Sequence, residues 1–517
     1  MPDSTPSPLG PQERAAAARL LASAWPVAAG LGEIFARHGH QLAIVGGSVR
    51  DVFLRRRSAD LDLTTDARPE RVLEITQDWA DSTWPVGVAF GTVGLRKGQD
   101  TIEITTYRSE EYDPGSRKPA VSFGRTLEGD LARRDFTINA MAARLPSFEV
   151  VDLFGGLDDL RDKVLRTPGR PGESLSDDPL RTLRAARFAA QLGFTVGPDL
   201  AAAMTEFAPR LADIVSAERI SAELTKLMLA ADPVRGIALL TETGVAEYVL
   251  PEVPRLQLEA DEHYRHKDVY QHSLTVLSQA IGLEPRYGLE QDLVLRLAAL
   301  LHDIGKPKTR SLLPGGRVAF HHHEVIGARM ARARLTALRF PGAVVADVSK
   351  LIELHLRFHG YGTGEWTDSA VRRYVADAGP LLTRLHALTR ADCTTRNKAK
   401  AQRLARTYDD LERRIAVLAE EEELARLRPD LDGNEIMRIL GIGPGRQVGQ
   451  ARQFLLDLRI ERGPLGPEQA TYELLRWAGR SAPAAEPGDG PPEPGDGTPP
   501  EAGDSGDTGD PGDGSRT

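Results

Sequence analysis

The sequence predicts an α/β head followed by a long all-α body and a disordered acidic tail. Three observations carry this. Short β-type runs alternate with helical or loop sequence as far as about Val151. From about residue 158 onward the apolar spacing is helical almost throughout. The stretch 481–517 is Pro, Gly, Asp and Glu with almost nothing apolar, a composition that cannot bury a core.

Taken in order, residues 14–38 read as helix interrupted around Pro26. The β-type runs "QLAIVGG", "ADLDLTT", "GTVGLRKG" and "DTIEITTYR" follow, each bounded by Gly, Asp or a charged turn. Helical sequence such as "PLRTLRAARFAAQLGF" and "ERISAELTKLMLA" comes next. A helical unit over about 255–400 then holds ten of the twelve histidines. The expected divisions are a head at 14–157, a neck at 158–254, the histidine-rich unit at 255–400, a further helical piece at 401–478 and the tail at 479–517. A chain of 517 residues suits several domains at about 150 residues each.

Hydrophobic residues make up 41% of the chain, enough for real cores, yet no apolar run nears the roughly 20 residues of a membrane span. The start, "MPDSTPSPLGPQER", lacks the basic and apolar regions of a secretory signal. Cys393 is the one cysteine, which excludes an intrachain disulfide and argues against a thiolate zinc site. A cytoplasmic protein is expected. The net charge of −9 is mostly the tail, where nine acids meet one arginine. The remainder is nearly balanced, with basic clusters at Arg133 and in "RNKAKAQRLAR" from Arg396, so local RNA binding is compatible with the total.

In "ADLDLTT" the strand period of two sends Asp60 and Asp62 to one face and Leu61 and Leu63 to the other. Neighbouring carboxylates raise each other's pKa unless a cation lies between them. Mg²⁺ suits them, since it takes oxygen ligands from one or two carboxylates plus phosphates and water. Alone, the pair also fits a strand end with solvated aspartates. The preceding "IVGGSVRD" changes that balance: an apolar strand, then Gly46 and Gly47, then a helix start, a turn whose N–H groups can approach phosphate. Arg50 can add a charged hydrogen bond to the same anion. Glu103 in "DTIEITTY" supplies a third carboxylate, with Ile102 and Ile104 on the opposite face. Three such groups can hold two metals about 3.5–4 Å apart for in-line phosphoryl transfer.

"GGSVRD…DLDLTT" resembles the head motif of nucleotidyltransferases related to DNA polymerase β. The continuation is similar to the bacterial class II CCA-adding tRNA nucleotidyltransferases and their poly(A) polymerase relatives, through "RRDFTINAMA", "VVDLFGGLDDLRDKVLR", "DDPLRTLRAARFAAQLGF" and "ERISAELTKLM" in family order. The resemblance implies a polymerase β-like nucleotidyltransferase head and a nucleotide- and RNA-binding neck. Arg134 would contact triphosphate, and Asp135 and Asn139 would select ribose; the residues alone also allow Asp135 to be a helix cap. "FGGLDDL" would be a hinge or an ordinary loop. Asp178, Arg181, Arg184 and Arg187 are spaced to share one helix face. The plain alternative is a solvated basic face. By resemblance Asp178 and Arg181 pair with the incoming CTP or ATP base in place of a template, and Arg184 and Arg187 reach the phosphates. Asp177 stands where the family commonly has Glu, which leaves its role open. Glu218, Arg219 and Glu223 are expected to brace the nucleotide helix.

Further on, His272, the doublet His302-Asp303 and Asp392 lie on separate apolar helices. Two imidazoles and two carboxylates converging in a bundle suit a transition metal such as Mn, Fe, Ni or Zn. The set resembles the HD metal-dependent phosphohydrolase domain, and His323 and His355 match histidines that such domains use for a second metal or for phosphate. The implied activity is hydrolysis of 2′,3′-cyclic or terminal phosphates on RNA, with a degenerate scaffold as the alternative. The segment 433–450, with its Gly-Pro-Gly turn, resembles the family's RNA-binding tail domain.

The expected function is template-independent addition of C, C and A to tRNA 3′ ends from CTP and ATP, using Mg²⁺ on Asp60, Asp62 and Glu103. A poly(A) polymerase or an enzyme adding part of CCA would share the same site. From other classes, the alternatives are an RNA-end phosphohydrolase with an RNA-binding head and a nonenzymatic RNA binder. Neither DNA nor a membrane is an expected partner, and the oligomeric state is open.

Overall fold

A computed structural model describes residues 10–56, 60–84, 91–111, 120–258, 268–314, 317–361, 366–395, 397–422 and 429–479. The acidic tail expected at 479–517 lies outside them, save its first residue. Two compact units divide at residues 425 and 426.

The head is built on strands β1 (Leu42–Val45), β2 (Asp60–Thr65), β3 (Ser82–Trp84), β4 (Thr92–Lys97), β5 (Asp100–Thr106), β8 (Met141–Arg144) and β9 (Glu149–Asp152), with β6 (Arg108–Glu111) and β7 (Ala120–Phe123) forming a separate hairpin pair. The seven-stranded sheet runs β3-β4-β5-β2-β1-β8-β9. All its strand pairs are antiparallel except the central β2–β5 pair. Leu61, Leu63, Ile102 and Ile104 are at most 1% exposed, each worth about 1.5–3 kcal/mol of burial. A one-residue slip of β2 would turn its leucines outward and its aspartates into the core, so this apolar face fixes the register. Helices Pro26–Arg37 and Pro69–Thr76 pack on the sheet through Leu31, Phe35, Val72 and Ile75.

In the neck, helix Arg181–Leu192 packs on helices Ala217–Met228 and Pro233–Glu242. The expected hinge at "FGGLDDL" is tied on both sides. Asp152 accepts the Gly156 and Leu157 amides at 2.8 and 2.9 Å, and buried Asp159 accepts Thr137 Oγ1 at 2.6 Å and Arg166 Nη1 at 2.8 Å.

The histidine-rich unit packs helices Val269–Leu283, Leu293–Leu301, His323–Ala337, Gly342–Leu354 and Leu382–Ala391 around one core. Arg296, 3% exposed, joins it to the neck: it pairs with Glu284 at 2.7 Å, and its Nη1 donates to the carbonyls of Met228 and Ala230. Helix Lys398–Glu422, assigned by sequence to the tail domain, instead packs on this unit. Arg390 pairs with Asp409 and Glu412, Arg414 with Asp368, and Tyr408 donates to the Thr389 carbonyl at 2.7 Å.

The second unit holds helices Gly433–Leu440, Arg446–Arg462 and Gly466–Trp477 around Leu431, Ile436, Leu440, Ala451, Leu455, Ala470 and Leu474. No helix among the described residues is long and apolar enough to cross a membrane.

Candidate active site

β2 and β5 bring the three expected carboxylates onto one face, Asp62 opposite Glu103 in the parallel register and Asp60 two residues before Asp62. Burial, then Glu103 and Asp60, push the Asp62 carboxyl up to about 6 against the pull of Arg134 and Arg50. The donors are all oxygen, and one is burdened by its like-charged neighbours, which fits a hard divalent cation. The three do not close as a group to within 4.8 Å, unlike the histidine clusters below.

Ser48, fully buried and absent from the sequence reading, pins this strand. Its hydroxyl donates to the Asp60 carbonyl at 3.1 Å and accepts the Asp62 amide at 2.9 Å. The turn before it needs glycine: Gly46 has φ +66°, and a side chain there would meet Arg134 Nη1 at 3.0 Å. The glycine turn and the Arg134 guanidinium therefore lie together, as a phosphate cradle requires. Arg50, expected at the anion, forks onto Asp51 at 2.8 and 3.0 Å and reaches Asn139 at 2.6 Å.

Arg133 and Arg134 are both held by Asp130, a 1% exposed carboxylate that the sequence reading also missed. Burial would raise its pKa, but Arg134 and Arg133 hold it below the usual range. Asp135 precedes and Asn139 ends a stretch with a 3₁₀ turn, Thr137–Asn139, where no α-helix opens. Asp135 accepts the Asn139 amide at 2.9 Å and Arg184 Nε at 2.8 Å, and its carboxyl lies low despite full burial because of Arg184.

A cavity of about 400 Å³ joins the carboxylate face to the neck; its lining includes Asp62, Arg134, Asp135, Asp178, Arg181 and Arg184, and adds Arg108, Arg133 and Arg219, which had no cleft role in the sequence reading. Asp178 is not on the arginine helix, as the spacing suggested; it caps the preceding helix Pro171–Asp177. Its Oδ2 accepts Arg219 Nη2 at 2.8 Å. Arg181 bonds Ser174 and the Arg133 carbonyl, linking neck to head. Arg187 does not line the cavity. It is buried against Glu223 at 2.6 Å and over the Phe188 ring, and Glu223 also approaches Arg184 at 3.5 Å. Glu223 thus holds two arginines of the helix Arg181–Leu192, whereas Arg219 holds Asp178 outside that helix and lines the cavity.

The second site lies in the histidine-rich unit. Asp392 Oδ1 is 2.9 Å from His272 Nε2 and 3.6 Å from His302 Nε2, and Asp303 Oδ2 is 3.2 Å from His302 Nε2. The other oxygen of Asp303 meets His323 Nε2 at 3.3 Å. His272, His302 and Asp303 form one potential metal group, and Asp303, His323 and His355 another. His321 and His322 stay exposed outside both. The Nδ1 atoms of His302, His323 and His355 face the carbonyls of Ala299, Phe320 and Ile352 at 2.9, 2.8 and 2.6 Å. A carbonyl only accepts, so each Nδ1 carries the hydrogen and each neutral ring turns its Nε2 lone pair inward. The buried Nε2 of His355 has no hydrogen-bond partner. Burial opposes charge on His302, yet Asp303 and Asp392 raise its pKa to about 10, so the two carboxylates favour positive charge at this point. Imidazole and carboxylate donors with an orphaned ring nitrogen fit a transition metal. Gly305 permits this closure: a side chain there would overlap the His323 carbonyl oxygen at 2.1 Å.

The Poly A polymerase head domain matches residues 42–166, the "Probable RNA and SrmB-binding site of polymerase A" 193–256, and the HD domain 269–397. The A-adding tRNA nucleotidyltransferase of Deinococcus radiodurans is 33% identical over 442 residues, 84% of this chain and 95% of that protein. The chain belongs to the tRNA nucleotidyltransferase family. It is a nucleotidyltransferase with a polymerase-type head, a helical body and an HD domain. The CC-adding tRNA nucleotidyltransferase of Thermus thermophilus is also 33% identical, over 84% of this chain and 93% of its own. The CCA-adding enzyme of Anoxybacillus flavithermus is 40% identical over 43% of this chain and 54% of its own. Among solved structures, the Bacillus stearothermophilus CCA-adding enzyme in complex with CTP superposes with a TM-score of 0.61 at 25% identity, covering 88% of this chain and 98% of that one.

Proposed function

We propose that this nucleotidyltransferase adds C, C and A to tRNA 3′ ends from CTP and ATP, in the cytoplasm. The observation that carries this is the single cavity in which Asp62 meets Arg134, Asp178, Arg181 and Arg184. One end offers carboxylate to a metal, the other an acceptor and donors of the kind a base edge presents. The tRNA 3′-oxygen attacks the α-phosphorus, the bond to the bridging oxygen breaks, pyrophosphate leaves and the hydroxyl proton is released. Magnesium held by Asp60, Asp62 and Glu103 would neutralise the triphosphate and acidify that hydroxyl. The glycine turn and Arg134 receive the phosphates, while Asp178 and Arg181 read the base.

A tRNA lacking its 3′ end, incubated with CTP, ATP or both and sized, tests the reading. Full addition needs both nucleotides. A product extended only by A, only by CC, or by a long A-tract assigns instead an A-adding, CC-adding or poly(A) activity. Asp60→Ala and Asp62→Ala should each abolish addition with the fold intact.

The inward Nε2 atoms and the orphaned His355 nitrogen favour a second reading for the HD domain, a metal-dependent phosphodiesterase acting on RNA ends. Water adds to phosphorus, one P–O ester bond opens, and the leaving ribose oxygen takes the proton. A transition metal such as Mn, Fe, Ni or Zn would supply the Lewis acidity.

A further inference from the structure

Helix Lys398–Glu422 divides by charge. From residue 397 to 408 it carries Lys398, Lys400, Arg403 and Arg406 and no acid. All four are exposed, and none makes an ion pair among the described residues. Its second half differs: Asp409 and Glu412 hold Arg390, Asp410 holds Arg413, and Arg414 holds Asp368. The helix is also fixed in rotation. Tyr408 stacks on Phe358 with ring centroids 3.9 Å apart, and Leu411 and Ile415 are buried. The cations therefore stay on the outer arc. Four exposed, acid-free cations on an anchored helix are unusual in a chain whose folded part is charge-balanced, and mutual repulsion gives them no benefit without an anion.

Their position gives that anion a destination. Thr394 Oγ1 contacts His272 Nδ1 at 3.1 Å, and Asp392 Oδ1 lies 2.9 Å from the other nitrogen of the same ring. Asn397 caps the helix, accepting the Lys400 amide at 3.0 Å. Lys398 is four residues beyond Thr394, a chain reach of at most roughly 14 Å. The first cation thus lies within about two to three nucleotide spacings of the histidine cluster.

We infer that this ridge is a docking track for the phosphodiester backbone of single-stranded RNA, leading its 3′ end to the HD cluster. The inference rests on the hydrolase reading of that cluster and adds how a polymeric substrate is chosen over a small one. Cations at this spacing bind phosphates without reading sequence, so the track accepts any RNA end.

The test uses the full chain and the fourfold variant Lys398→Gln, Lys400→Gln, Arg403→Gln and Arg406→Gln, with an unchanged thermal melt as the folding control. With Mn²⁺ or Ni²⁺ present, an oligonucleotide ending in a 2′,3′-cyclic phosphate should show a KM raised roughly tenfold or more in the variant. Hydrolysis of bis(p-nitrophenyl) phosphate should not change. The slope of log binding constant against log salt for the same oligonucleotide should shrink by about 3, at about 0.7 per lost contact. An unaltered slope overturns the inference, and so does an equal rise in KM for both diesters. If the wild-type chain hydrolyses neither diester, the hydrolase reading falls, and the salt slope alone then decides whether RNA lies on the ridge.

Discussion

The buried Ser48 hydroxyl accepts the Asp62 amide at 2.9 Å while donating to the Asp60 carbonyl, so one side chain sets the spacing of both aspartates. Ser48→Ala should cost about 1 kcal/mol in a denaturation midpoint. Nucleotide addition should fall by up to roughly a hundredfold, with a higher Mg²⁺ half-saturation, because the ligands lose their fixed spacing. Unchanged Mg²⁺ dependence would show that the sheet alone sets the ligands.

Asp62 makes stability depend on pH. Its folded-state pKa is raised to about 6, so between about pH 4 and 6 the folded chain holds a proton that the unfolded chain has lost. Stability therefore falls as pH rises through that window. Without divalent cations, Asp62→Asn should be more stable than wild type at pH 7, on the order of 2 kcal/mol, and equal to it near pH 4. Thermal melts across that range with EDTA check this; Mg²⁺ should restore only the wild type.

Glu223 joins Arg187 to Arg184, and its loss leaves Arg187 buried without its carboxylate. Glu223→Ala should destabilise by about 3 kcal/mol. The KM for both nucleotides should rise more than kcat falls, since Arg184 loses its support beside the cavity. Glu223→Gln should recover much of the stability and little of the KM.

Arg219 occupies the Asp178 carboxylate from a half-exposed position. Arg219→Ala should alter stability by less than about 1 kcal/mol. It should shift the ratio of CTP to ATP use, because Asp178 is then free to accept from a different base edge. Steady-state kinetics with each nucleotide would show it; an unchanged ratio would remove Asp178 from base selection.

Asp303 offers one oxygen to each metal group. Asp303→Asn should reduce bound transition metal at both, read by equilibrium dialysis, while nucleotide addition persists. Loss of a single equivalent would mean that the His323–His355 side binds independently.

The alternation of leucine and aspartate in β2 and of isoleucine and glutamate in β5 made the head sheet and its carboxylate face legible in the sequence, because strand geometry leaves only two faces. The HD ligands were legible because a His-Asp doublet ends one apolar helix while His272 and Asp392 lie on others. Ser48 and Asp130 were not. Ser48 acts through Asp60 and Asp62 across a turn that no local period marks, and Asp130 holds Arg133 and Arg134 at spacings of three and four that an exposed helical ion pair shares, so only its burial sets it apart. Asp178 was misread as helical because a spacing of three cannot distinguish a capping residue from the first turn. Helix Lys398–Glu422 was given to the tail domain because its apolar stripe says that it packs, but not on what.

Arg296 gives the HD domain a second kind of permanence. A module merely appended to an enzyme can be trimmed away by a protease or by deletion, leaving the rest whole. Here its departure would strip the Met228 and Ala230 carbonyls, at the end of the helix that carries Arg219 and Glu223, of their buried donor. Any shortened descendant of this chain must therefore rebuild the end of that helix before it can discard the domain.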